Sequence, residues 1–267
     1  MEKDFRIGFL GAGKMAEALI AAILKSRITP PHRIICGDPV EERLIYMKEK
    51  YRINTTPENA VVLQNADMVI LAFKPQNFPA ALEGLTGLVR PDHLVVSIMA
   101  GIRLSRIRQY LPARLVRVMP NTACLVGEMA AGYAVSDNVT GADLEKVRAI
   151  LAAAGEAVEV DESQLDAVTG LSGSGPAFVA YLIESFIQAG VAEGLSPPTA
   201  RTLALKTFAG TARLLAEWDM PPHTLIDMVS SPNGTTVAGR TVLETSDVRE
   251  ILINTVKRAA ERSRELG

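Results

Sequence analysis

For the first part of this chain the sequence predicts an α/β fold with a doubly wound, mainly parallel sheet, and for the remainder an all-α domain. Three observations carry that prediction. An apolar run from Arg6 ends in Gly11-Ala12-Gly13 and passes at Lys14 into a helical pattern. Apolar runs then alternate with helical ones as far as Val160, and beyond Val160 helical patterns continue with hardly any strand. Such alternation is the sequence form of a parallel sheet covered by helices on both faces. The first domain is therefore placed at residues 1–160 and the second at 161–267.

The first strand, turn and helix carry the most chemistry. In the spacing Gly11, Gly13, Ala16 each small residue removes a different clash. Gly11 permits a sharp turn, Gly13 lets the backbone approach a pyrophosphate, and Ala16 lets the helix pack closely on the strand. Unpaired amides at the helix start then face the phosphates, aided by the helix dipole. Gly8, Gly11, Ala12, Gly13, Lys14 and Met15 thus read as one Rossmann-type dinucleotide-binding stretch.

After the first helix, which Thr29-Pro30-Pro31 stops, residues 33–38 read as a second strand and 40–50 as a second helix. Residues 66–73 are a continuous apolar run, as expected of a third strand covered on both faces, and end in Lys74-Pro75-Gln76. Residues 94–99 end in Ala100-Gly101, and residues 115–119 in Pro120-Asn121-Thr122. A helix over 137–154 and a strand over 157–160 complete the domain. Ligands of such sheets bind beyond the carboxyl ends of the strands. That rule gathers Gly11 to Gly13, Asp38, Lys74-Pro75, Ala100-Gly101 and Asn121-Thr122 along one crevice, although each alone would be an ordinary turn. A carboxylate at Asp38 suits a ribose 2′-hydroxyl and repels a 2′-phosphate. Glu41 and Glu42 add to that repulsion and Arg43 is the one cation nearby in sequence, so the physics leans towards NADH.

In the second domain a helix over 177–192 is apolar almost all round, with Glu184 its only charge before Glu193. A helix without a polar face must be buried. It is shorter than the ~20 residues that cross a bilayer, and a domain this small rarely covers a central helix alone, so a second copy of the chain is expected over it. Pro197-Pro198 opens a helix to about Trp218, and Pro221-Pro222 a short one to Val229. The stretch from Ser230 to Arg240 leads into a helix ending near Leu243, and an amphipathic helix spans 247–265. Ser231 to Thr236 sets hydroxyls, an amide side chain and a glycine at a helix N-terminus, a small site with oriented donors that suits a carboxylate. Helix-end attraction is worth ~0.3–2 kcal/mol and each charge-assisted hydrogen bond ~1.5–3 kcal/mol. Three or four donors could thus hold a small acid without an arginine. The plainer reading is a decorated N-cap with no ligand.

With 267 residues, 48% of them hydrophobic, the chain can bury a sizeable core. A net charge of -2, from 28 basic and 30 acidic residues, offers no broad field for nucleic acid or an anionic membrane. Cys36 and Cys124 lie in separate apolar segments without metal-ligand spacing, which predicts buried free thiols in a reducing compartment and no metal site. His32, His93 and His223 stand beside prolines or turn-like residues and read as solvated surface. The chain enters its first strand without a signal-peptide pattern, so a cytoplasmic protein is expected.

Ser230-Ser231-Pro232-Asn233-Gly234-Thr235-Thr236, followed by Ala238-Gly239 and Leu243-Glu244, resembles the signature of the pyrroline-5-carboxylate reductases. So do the run from Asp166 to Ala177, Lys74-Pro75 after the third strand, and Met119-Pro120-Asn121-Thr122, which together span nearly the whole chain. Ala123 departs from the pattern, since the family often carries proline there. The resemblance implies reduction of L-1-pyrroline-5-carboxylate to L-proline, the last step of proline biosynthesis, with NADPH or NADH giving hydride to C5 of the cyclic imine. By matching position, Thr236 corresponds to the threonine whose hydroxyl meets the ring nitrogen, with Ser231 beside it. Ser231, Asn233, Gly234, Thr235 and Thr236 correspond to the carboxylate cradle. Asn59, Ala72, Lys74, Pro75, Ala100, Gly101 and Asn121 correspond to positions around the cofactor. The family's helical domains interlock, which implies a homodimer, with larger assemblies of dimers known. Reducing a ketone needs a proton donor for the alkoxide, and related hydroxyacid dehydrogenases place a lysine on the long helix. No lysine occurs here between Lys146 and Lys206, which favours an imine over a ketone. The alternatives are a reductase of another small imino or hydroxy acid, and a non-catalytic dinucleotide-sensing protein. The latter would be expected to have lost Thr236 or the Ser-Gly run.

Overall fold

Ile-Gly-Phe-Leu has no polar face, and the strand it forms, β1 (Ile7–Leu10), is buried at every position. The computed structural model describes residues 5–266; the start of the chain, where no signal pattern is read, lies outside the described residues as far as residue 4. After β1 come α1 (Lys14–Lys25), β2 (Ile34–Gly37), α2 (Glu41–Tyr51), β3 (Asn54–Thr56), α3 (Asn59–Asn65), β4 (Met68–Leu71) and α4 (Phe78–Leu82). They are followed by β5 (Leu94–Ser97), α5 (Leu104–Arg108), β6 (Arg114–Met119), β7 (Met129–Val135), α6 (Gly141–Ala154) and β8 (Gly155–Glu159). The eight strands form one sheet in the order β3-β2-β1-β4-β5-β6-β7-β8. Every pair is parallel except β6 and β7. The order reverses direction between β1 and β4, and this switch point opens a crevice at the strand ends.

The mainly parallel sheet agrees with expectation, but β3, α3 and β7 add elements that the sequence reading lacks, so Lys74-Pro75 follows the fourth strand rather than the third. Helix α6 begins later than residue 137, because Thr140 and Asp143 build a capping box that fixes its start. Alternate side chains feed two cores. Ile7, Phe9, Met68 and Ile70 pack on one face with Ile20 and Ile23 of α1. Leu10, Val69, Leu71 and Val95 pack on the other with Val62 of α3 and Phe78 of α4. Each such side chain contributes roughly 1.5–3 kcal/mol by leaving water.

Both cysteines are buried and free. Burial pushes the Cys36 thiol up to about 12 and that of Cys124 up to about 11. His93 corrects the surface reading: it is fully buried, its Nδ1 accepting the Arg90 N–H at 3.1 Å, because the turn before β5 folds it under the sheet. His32 and His223 are exposed.

The remaining helices are α7 (Leu165–Val168), which runs through a π-turn (Thr169–Gly173) into α8 (Gly175–Ala192), then α9 (Pro197–Glu217), α10 (Pro222–Met228), α11 (Thr235–Glu244) and α12 (Val248–Leu266). Contacts divide the chain into two compact units, Met1–Ser174 with Lys257–Gly267, and Gly175–Val256. This division falls later than the 160/161 boundary read from sequence, for a packing reason. Val168 lies so close to β7 that a Cβ on Gly132 would approach it to 2.7 Å. Arg117 of β6, buried by the same segment, pairs with Glu162 at 3.4 Å and Asp166 at 4.0 Å. Asp166 also accepts the Ser263 hydroxyl of α12 at 2.6 Å.

In the second unit α8 packs along α9, with Phe186 and Phe208 edge to face at 5.2 Å. No residue of α8 is buried, and Tyr181 is 71% exposed. With its lead-in the apolar run covers Glu162–Ala192, 31 residues. α8 itself, at 18 residues, stays below the ~20 that cross a bilayer, and only the addition of α7 and the π-turn brings the continuous helix to that length. Its first third, however, is packed against β6 and β7 of the sheet.

Candidate active site

Gly11 turns the chain at φ 102°, where a side chain is strained, and a Cβ there would lie 2.8 Å from the Ala72 carbonyl oxygen. The turn it makes is held on three sides. Gly11 N–H donates to the Gly37 carbonyl at 2.7 Å, Ala12 N–H to Asp38 Oδ2 at 2.7 Å, and Arg43 Nε to the Ala12 carbonyl. Asp38 Oδ1 accepts the Val40 N–H at 3.0 Å. Gly13 is the N-cap of α1, without a side-chain cap, and a Cβ built on it meets nothing within 4 Å. Bare amides at the head of a helix therefore face open space, as an anion site requires.

That space is a cavity of about 610 Å³. Of the residues selected from sequence, Gly11, Gly13, Asp38, Asn59, Ala72 and Lys74 line it together. The others serve different purposes. Gly8 lies inside β1, where a Cβ would come within 2.6 Å of Val62, so it admits α3. Ala12 is buried behind the turn, Met15 packs on the core, and the exposed Lys14 reaches Glu17 at 3.7 Å. Pro75 borders a separate cavity of about 600 Å³ with Arg103 and Leu266. Ala100 is half-buried, and Gly101 is buried at φ 78° beneath Leu266. Asn121 is buried, its Oδ1 accepting the Ala130 N–H at 3.2 Å to start β7. The sequence reading missed the apolar walls, among them Pro57, Phe73 and Ala80. Pro57 and Phe73 stand in loops and Ala80 on α4, far apart in the chain, and no local pattern marks them. Bare amides at Gly13 and a carboxylate at Asp38, in a crevice of this size, fit a dinucleotide's phosphates and ribose.

The second cluster belongs to the second unit. Gly234 N–H closes a turn onto the Ser231 carbonyl at 2.9 Å, with proline next and Asn233 at φ 59°. Proline followed by a left-handed residue is the signature of a type II turn. A Cβ on Gly234 would sit 2.9 Å from the Ser231 carbonyl oxygen, a backbone atom that cannot swing aside, so this turn favours glycine. Gly234 then caps α11 without a side-chain bond, leaving the first amides and the exposed Thr235 and Thr236 facing outward. Arg240 braces the turn from within α11, reaching Ser230 Oγ at 3.4 Å and Asp227 at 3.8 Å.

Comparison with known proteins places these features. Residues 162–266 match the family model for pyrroline-5-carboxylate reductase dimerisation, and residues 6–101 the model for NADP oxidoreductases, coenzyme F420-dependent. The pyrroline-5-carboxylate reductase of Methanosarcina acetivorans is 44% identical over 98% of both chains. This chain belongs to the pyrroline-5-carboxylate reductase family. Two solved reductases have the same fold. That of Coxiella burnetii superposes with a TM-score of 0.93 at 32% identity, covering 98% of both chains. That of Plasmodium falciparum, solved with NADP bound, gives 0.89 at 30% identity, covering 99% of both. Like its reductase relatives, the chain is an NAD(P)-dependent oxidoreductase.

Proposed function

We propose that the chain reduces L-1-pyrroline-5-carboxylate to L-proline with NADPH or NADH, completing proline biosynthesis in the cytoplasm as a homodimer built on its helical part. The observation that carries the substrate reading is the uncapped start of α11 behind the Ser231–Gly234 turn, in a chain of this family. The amides of Thr235 and Thr236, with Ser231 and Asn233, hold the substrate carboxylate. The Thr236 hydroxyl hydrogen-bonds the ring nitrogen and fixes which face of the imine is presented. When bound, the reduced nicotinamide supplies the hydride. Gly11, Gly13, Asp38, Asn59, Ala72 and Lys74 seat the cofactor in the crevice, with Gly8 and Ala12 packing behind the turn that carries Gly11 and Gly13.

An imine is protonated before it is reduced, so orientation and a positioned hydroxyl replace the general acid that a ketone needs. The exposed apolar face of α8 supports the homodimer, since a second copy of the chain would cover it. Thr236→Ala tests the assignment: kcat is expected to fall about 100-fold or more, the low end of what positioned proton-handling groups supply. Folding and NAD(P)H affinity should be retained. Unchanged turnover would remove Thr236 from the mechanism.

A further inference from the structure

Beside the crevice lies a buried carboxylate that hydride transfer does not use. Glu17, on α1, is only 5% exposed. It accepts Arg43 Nη2 at 2.5 Å and Lys50 Nζ at 2.9 Å, with the hydroxyls of Tyr46 and Tyr51 at 2.7 and 3.1 Å. Burial alone would raise its pKa, but these donors outweigh burial and hold the carboxyl far below its usual range. Arg43 is held from two sides: its Nε bonds the Ala12 carbonyl, its Nη2 bonds Glu17, and its guanidinium lies 4.8 Å from the Tyr46 ring centroid.

Arg43 follows β2 by a few residues, at the start of α2, beside Asp38. That is where a cation would have to stand to meet a phosphate on the adenosine ribose. We propose that Glu17 sets the cofactor preference of this chain towards NADH, by drawing Arg43 away from the ribose site and leaving Asp38 to face it unopposed. The inference rests on the seating of the ribose beside Asp38 proposed above. Glu17 touches neither cofactor nor substrate, so it is a positioning residue. The Plasmodium relative of the same fold was solved with NADP bound, so the preference argued here lies in this chain's own side chains and not in the fold.

Titration calorimetry of NADH and NADPH against the full-length protein tests this by binding rather than turnover. The wild type should bind NADH at least about tenfold more tightly, the equivalent of one charge-assisted contact. Glu17→Gln, which keeps shape and loses charge, should improve NADPH affinity about tenfold with little change for NADH. Adding Arg43→Gln should abolish that gain. Asp38→Asn supplies a second route, narrowing the preference without disturbing Glu17. Equal changes for both nucleotides in Glu17→Gln, or a wild type that prefers NADPH, would overturn the role of Glu17. Asp38→Asn variants that leave the NADH-to-NADPH ratio untouched would instead overturn the seating of the ribose.

Discussion

Gly11 and Gly13 stand two positions apart and meet opposite surroundings. A methyl at Gly11 would be forced into a strained φ and against the Ala72 carbonyl, so Gly11→Ala should cost roughly 1–3 kcal/mol in urea unfolding as well as nucleotide affinity. A methyl at Gly13 meets no protein atom. Gly13→Ala should therefore keep most of the stability, losing about 1 kcal/mol or less as a poorer N-cap, while weakening NAD(P)H binding in calorimetry. Parallel losses in both properties would show that Gly13 serves only the fold. His93 gives a separate expectation. Burial lowers its pKa below the ordinary 6.5, so as the pH falls the unfolded chain takes up a proton before the folded protein does. Its contribution is therefore fully present above about pH 6.5 and is lost as the pH falls below that value. Denaturant midpoints between pH 7.5 and 5.5 should decline less steeply in His93→Gln than in the wild type.

Among the elements, β1, β4 and β5 are legible in sequence because both of their faces are buried and, apart from Ser97 at the end of β5, every residue in them is apolar or glycine. β3 is three polar residues at a sheet edge, and β7, Met-Ala-Ala-Gly-Tyr-Ala-Val, carries small side chains without a period. Only pairing with β6 and β8 makes β7 a strand. The glycine turn and the Ser231–Gly234 turn are legible for the same reason: their chemistry is local. The walls of the crevice come from loops and helix ends that only the sheet brings together. Segment 162–174 joins the sheet through Arg117, whose carboxylate partners offset the burial of a guanidinium. Asp166→Ala removes one of them together with the acceptor of Ser263. About 2–3 kcal/mol should be lost in urea unfolding, with Glu162 left to neutralise the charge.

For the whole molecule, α8 presents Val179, Tyr181 and Phe186 at 47, 71 and 55% exposure, an apolar surface that a single chain leaves bare. Tyr181→Glu should shift sedimentation from dimer towards monomer and lower the melting temperature in proportion to lost association. A wild-type monomer in sedimentation would refute this use of α8. The terminal helix has a different consequence. Residues 248–256 of α12 count with the second unit, and the chain from Lys257 with the first, where Ser263 meets Asp166 and Leu266 covers Gly101. The nucleotide-binding half is thus not a contiguous module that one crossover or one proteolytic cut could lend to another protein. A fragment ending at 174 would be born with an open seam, and a separate peptide carrying the terminal helix should restore its solubility in trans.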